Sequence, residues 1–152
     1  MKIKSYKGKL GLVKSLKKLV GNKYEDLFVA VIVHGSVATN EVKPFSDFDG
    51  LIIIKDVFVH SNELKQFKKD SMKLILKFDP LQHHGWFQIT ESQLSDYPEV
   101  YLPKAVLKKS KILYPFSEEI EIKIDIKHKP NYKFSLFNMI NQLENKVLNK
   151  WK

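Results

Sequence analysis

Apolar positions recur at two different periods along the chain, and the change of period marks the elements. From Lys9 to Val20, the residues Leu10, Val13, Leu16, Leu19 and Val20 fall at three-to-four spacing with lysines between them, which predicts an amphipathic helix over 9–20. Gly21-Asn22 reads as its stop. Residues 27–33 (Leu-Phe-Val-Ala-Val-Ile-Val) form an unbroken, β-branched run, the pattern of a strand buried on both faces. Residues 47–54 predict a second strand, polar at its start and apolar after. A long helix is expected over 60–78, with Ser61 as its cap, an apolar face of Leu64, Phe67, Met72, Leu74, Ile75 and Phe78, and Asp79-Pro80 as its end. Residues 83–90 predict a third strand, and 102–113 a helix with Pro103 in its first turn and Ile112 inside. Residues 119–126 alternate strictly, with Ile120, Ile122, Ile124 and Ile126 on one face, as a half-buried strand would. A last helix is expected over 133–152, with Leu136, Ile140, Leu143, Val147 and Trp151 on one stripe. Strands interleaved with helices predict an α/β (α+β) domain with one mixed sheet flanked by helices. The expected organisation is a single domain over 1–152, with a core at 9–127 followed by the C-terminal helix.

Composition narrows what such a domain could do. The chain has 152 residues, 43% of them apolar and 28% charged, which excludes a disordered or fibrous protein. No window approaches the ~18 apolar residues of a membrane span, and Met1–Lys7 has no apolar h-region, so neither a membrane protein nor a secreted one is expected. Cysteine is absent, which excludes disulfides, thiolate metal sites and cysteine nucleophiles; a cytoplasmic protein is expected. The net charge is +9, and all 26 basic residues are lysine. A basic chain suggests an anionic partner. Without arginine there is no guanidinium fork for phosphate or for base edges, so specific nucleic-acid reading is not favoured. Any phosphate must be met by lysine, backbone amides, hydroxyls or metal.

The stretch from Val31 to Ile54 carries the candidate chemistry. Gly35-Ser36 follows the buried strand, where a residue without a Cβ lets the backbone approach a ligand. Free amides at a helix start beside a serine hydroxyl suit phosphate oxygens. Ten residues after Ser36 come Asp47 and Asp49. On a strand, positions two apart share a face, about 6.6–6.8 Å apart along the chain, while Phe48 points the other way into the core. Two carboxylates on one face repel each other until hard cations, which prefer oxygen ligands, bridge them. Together with a triphosphate they would form a two-metal transfer site. Lys43, between the two motifs, is a candidate phosphate contact. His34, Trp86 and Phe87 read as packing residues.

The order buried strand, Gly-Ser, ten residues, Asp-x-Asp and apolar strand resembles the signature of the nucleotidyltransferase superfamily with the DNA polymerase beta-like catalytic fold, closest to its minimal branch. The likeness is strong over residues 27–54 and weaker to residue 114, where Lys111-Ile-Leu-Tyr-Pro resembles the helix end that follows the family's third strand. It implies that Gly35 and Ser36 contact nucleotide phosphates and that Asp47 and Asp49 hold Mg²⁺ or Mn²⁺. It implies transfer of a nucleoside monophosphate, AMP from ATP or the equivalent from another NTP, to an acceptor hydroxyl. A small hydroxylated molecule, a protein tyrosine and an RNA end are all compatible acceptors. The minimal branch often partners a helical toxin that it adenylylates.

One departure stands out. The family usually carries a third carboxylate on the next core strand, and residues 82–90 hold none. His84 shares the parity of Gln82, Trp86 and Gln88, the more polar face, and is the candidate base. If nothing replaces the missing acid, the alternative is a catalytically weak or inactive nucleotide- or partner-binding module of the same fold. The apolar face ending at Trp151 is a candidate surface for a second copy or a partner protein.

Overall fold

The computed structural model describes residues 7–43, 46–80, 85–97, 103–115 and 140. The expected strand at 119–126 and, apart from the helical Ile140, the expected helix at 133–152 lie outside these residues, as do His84 and the side chain of Leu10. The described elements are α1 (Lys7–Lys23), β1 (Phe28–His34), α2 (Gly35–Thr39), β2 (Asp49–Ile54), α3 (Asn62–Phe78), β3 (Trp86–Thr90), α4 (Lys104–Leu107) and β4 (Lys111–Tyr114). The four strands form one mixed sheet in the order β3-β2-β1-β4. β1 pairs antiparallel with β2 and β4, whereas β2 and β3 run parallel and are joined through α3.

The unbroken apolar run has the place its pattern demands. β1 lies between β2 and β4, and both of its faces are covered. One face carries Phe28, Val31 and Val33, packed with Ile52 and Ile54 of β2 against Leu12, Leu16 and Val20 of α1 and Leu64, Phe67 and Ile75 of α3. The other carries Ala30 and Ile32, which meet Leu51, Ile53 and Ile89 and pack with Tyr97, Leu94, Val106 and Leu107. On α1 the contact is the i, i+4 row Leu12-Leu16-Val20, with Val13 and Leu19 at its margins. The helix also runs through Gly21-Asn22 to Lys23, past the expected stop, because Val20 is still packed in the core there.

α3 begins where expected. The Ser61 hydroxyl accepts from the Leu64 N–H at 3.0 Å, an N-cap. β2 and β3 start later than their apolar patterns suggest, at Asp49 and Trp86. The main correction concerns residues 102–113. Among the described residues of that stretch only Lys104–Leu107 is helical, and Lys111–Tyr114 is a strand rather than a helix end. The outer edge of β1 is buried and its backbone groups need partners; β4 supplies them, with Ile112 opposite Ile32 and Lys111 opposite Val33. That pairing outweighs the helical spacing, and Ser110 closes the intervening turn by donating to the Leu107 carbonyl at 2.7 Å.

Two polar assemblies hold the helix-covered side. Asp70 on α3 accepts from the Tyr24 hydroxyl at 2.7 Å, from Lys23 at 3.2 Å and from Gln66 at 2.9 Å, joining α3 to the end of α1. The Tyr24 bond first, then Lys23, hold its carboxyl below the usual range, at about 2. The Trp86 indole donates to Ser71 of α3 at 2.9 Å, and its ring lies over Gly50. At the far end of β2, Asp56 accepts from the Ser92 hydroxyl at 2.9 Å, which ties the turns after β2 and β3 together and lowers the Asp56 pKa.

Because the folded pKa of Asp70 is depressed, its contribution is present above about pH 4 and is lost as pH falls toward 2. Asp70→Asn should therefore lower Tm at pH 7, and the gap to wild type should close in melts recorded below pH 4. A Cβ at Gly50 would collide with Trp86 and come within 2.9 Å of the Phe48 ring. Gly50→Ala should cost about 1–3 kcal/mol as an overpacking change, read from the denaturant midpoint; an unchanged midpoint would contradict this packing.

Candidate functional site

The site is built at the end of β1. The β1–β2 ladder closes with His34 opposite Asp49, so the residue after His34 comes to the first residue of β2. That residue is Gly35, with a φ of 64°, in the region that L side chains disfavour. A Cβ on Gly35 would strike Oδ2 of Asp49 and lie 3.3 Å from its Cγ. Glycine is needed here for two reasons: the turn into α2, and the carboxylate that occupies the space of a side chain.

α2 is only five residues long. Asn40, left-handed at φ 62°, ends it, and the Ser36 carbonyl accepts from the Asn40 and Glu41 N–H groups. The following loop is tied by a reciprocal pair: the Lys43 N–H donates to Ser46 Oγ at 2.9 Å, and the Ser46 N–H to the Lys43 carbonyl at 3.1 Å. Asp47 comes next. Lys111 of β4 donates to the Asn40 side chain at 2.6 Å and so fastens the end of α2 to the sheet.

Gly35, Ser36, Thr39, Glu41, Lys43 and Ser46 form one wall of an open cleft of about 770 Å³. Ala105, Val106 and Lys109, on α4 and just after it, form the other. The structure thus brings Gly35, Ser36 and Lys43 into one cavity, with the Asp49 carboxylate against Gly35 at its edge. Neither aspartate is among the residues lining the cleft: Asp49 meets Gly35 at its edge, and Asp47 follows the lining Ser46 in the chain. Phe48 between them is fully buried and meets Trp86 edge-on at 5.2 Å, as the alternation required. His34 is 5% exposed with its ring 5.9 Å from Phe87, so it packs beneath the site. His84 lies outside the described residues.

Sequence reasoning missed Lys109, because the expected helix at 102–113 hid the turn that carries it to the cleft. It read Asp79 only as the end of the helix, just outside the third strand, and gave it no role; its Oδ2 accepts from the Phe48 N–H at 2.9 Å. The available signal was an acid at a helix C-terminus, where a base is the favourable residue. Among the described residues no three His, Cys, Asp or Glu side chains group closely enough to hold a metal ion. Mg²⁺ does not require such a group, since it is commonly held by one or two carboxylates together with waters and substrate phosphates. The oxygen-only donor set fits that ion. Among the described residues no helix is long and apolar enough to cross a membrane.

No curated protein matches the chain. A solved structure described as a "putative nucleotidyltransferase from Sulfolobus solfataricus" is similar at 20% identity and a TM-score of 0.31, over 57% of this chain and 74% of that one. The family model for the nucleotidyltransferase domain matches residues 12–148, nearly the whole chain and all of the elements around the cleft. The chain belongs to the nucleotidyltransferase domain family.

Proposed function

We propose that this nucleotidyltransferase moves AMP from ATP to an acceptor hydroxyl, with Asp47 and Asp49 as ligands of Mg²⁺ or Mn²⁺. The observation that carries the reading is the Asp49 carboxylate held against Gly35 beside a cleft lined by Ser36, Lys43 and Lys109. In the reaction, the acceptor oxygen forms a bond to the α-phosphorus, the bond from that phosphorus to the pyrophosphate oxygen breaks, and the hydroxyl proton passes to a base. Bound divalent ions would supply charge neutralisation and a lower hydroxyl pKa.

The chain's own residues divide the remaining work. Ser36 offers a hydroxyl to the β/γ-phosphates, and the two lysines offer amines from opposite walls. As α2 is short, its aligned dipoles contribute little, and the lysines carry more of the phosphate recognition than a long helix start would require. With no arginine in the chain, no side-chain fork shares that load. His84 is the proposed base, by residue type. The acceptor is proposed to be a hydroxyl on an acidic protein partner, such as a toxin, since the +9 charge would draw such a partner to the site.

A second reading, a nucleotide-binding module with weak or no transfer, is favoured by one observation: no third acidic or histidine side chain groups with Asp47 and Asp49 among the described residues. Incubation with γ-labelled ATP, Mg²⁺ or Mn²⁺ and candidate acceptors separates the two. Pyrophosphate release should fall at least about 100-fold in Asp47→Ala/Asp49→Ala, and release unaffected by the double substitution would remove the assigned site. Binding of ATP without release supports the module, and no binding at millimolar ATP removes both readings. Gly35→Ala should cost about 1–2 kcal/mol through its left-handed backbone and suppress release further by displacing Asp49. A folded Gly35→Ala protein with wild-type turnover would contradict that contact.

A further inference from the structure

Phe48 is restrained from two directions. Its ring is fully buried beside Trp86, and its N–H lies just outside the β1–β2 ladder, which begins at Asp49. A buried N–H needs an acceptor. It finds one in Asp79, 31 residues away, with the Phe48 nitrogen 2.9 Å from Oδ2.

Asp79 occupies an unfavourable place for an acid. It is the C-cap of the 17-residue α3, where the helix end carries partial negative charge. It is also only 4% exposed, and burying a carboxylate is costly. Neither helix stability nor solubility accounts for it. The hydrogen bond from the Phe48 N–H does, since a buried donor left without an acceptor is costly. The consequence falls on the neighbours of Phe48. With its ring in the core and its N–H on α3, the Phe48 backbone has little freedom to rotate, and rotation there is what would turn Asp47 relative to Asp49.

We propose that Asp79 is a positioning residue for the Asp47-Phe48-Asp49 segment: it fixes the Phe48 backbone so that the two flanking carboxylates meet the same divalent cation. The inference rests on the reading of Asp47 and Asp49 as metal ligands. Asp79 acts through Phe48 and needs no contact with nucleotide or metal.

The test measures Mn²⁺ binding to the full chain by electron paramagnetic resonance, with a non-hydrolysable ATP analogue present. Three variants are compared after cooperative thermal melts show that they are folded. Asp79→Asn keeps a side-chain acceptor for the Phe48 N–H, Asp79→Leu keeps the volume without it, and Asp47→Ala/Asp49→Ala removes the ligands. Asp79→Leu should bind Mn²⁺ about ten-fold more weakly, the lower end of the effect of losing a ligand's outer partners, while Asp79→Asn stays close to wild type. Analogue affinity should change little in either. A folded Asp79→Leu protein with wild-type Mn²⁺ affinity, beside a double variant that has lost it, would overturn the role of Asp79 alone. Wild-type affinity in the double variant would overturn the metal reading and this inference with it. If Asp79→Leu does not fold, Asp79→Ala, which also removes the acceptor, decides: a ten-fold loss supports the proposal, and wild-type affinity overturns it.

Discussion

The antiparallel pairing of β1 with β2, ending where His34 faces Asp49, is the constraint on which the site depends. It brings the first residue of one strand to the last of the other, and so sets Gly35 against a carboxylate. The pairing is itself held by burial. β1 carries apolar side chains on both faces, and slipping the register by one residue would exchange the side chains that meet α1 and α3 with those that meet the opposite layer. The position of one carboxylate oxygen at the cleft is thus tied to the packing of the whole sheet.

Aromatic packing reinforces the start of β2. Phe48, Trp86 and Phe67 stack in sequence beneath it, Gly50 leaves room for the indole, and Ser71 receives the indole N–H. This cluster lies on the helix-covered face, opposite in parity to Asp49. The strand's alternation therefore separates the two tasks: even positions anchor, and odd positions face the layer beside the cleft. The charged assemblies with displaced pKa values, at Asp70 and Asp56, lie elsewhere and serve to join elements.

Much of this was legible in the chain. The β-branched run and the Gly35 turn were readable because each is a local pattern with one dominant physical cause: two-sided burial and backbone freedom. Ser61 was readable as a cap for the same reason. The helix expected at 102–113 was not a safe reading, since Ile112 and Leu113 suit either a helix face or a strand, and only the open edge of β1 decides for the strand. Gly21-Asn22 misled similarly, since a local stop signal yields when the flanking turns are packed on both sides.

By itself the sequence determined the composition-level limits: no cysteine chemistry, no arginine at any phosphate, and a Gly35-Ser36 and Asp47-x-Asp49 pair ten residues apart. Only the tertiary structure decided that Lys109 shares the cleft with Lys43, that α2 is too short to act as a strong dipole, and that Asp79 holds the backbone between the two aspartates. Each of these joins residues far apart in the chain or depends on where an element ends. Spacing and periodicity report only on neighbours, whereas such contacts are set by which buried faces and unpaired backbone groups find each other on folding.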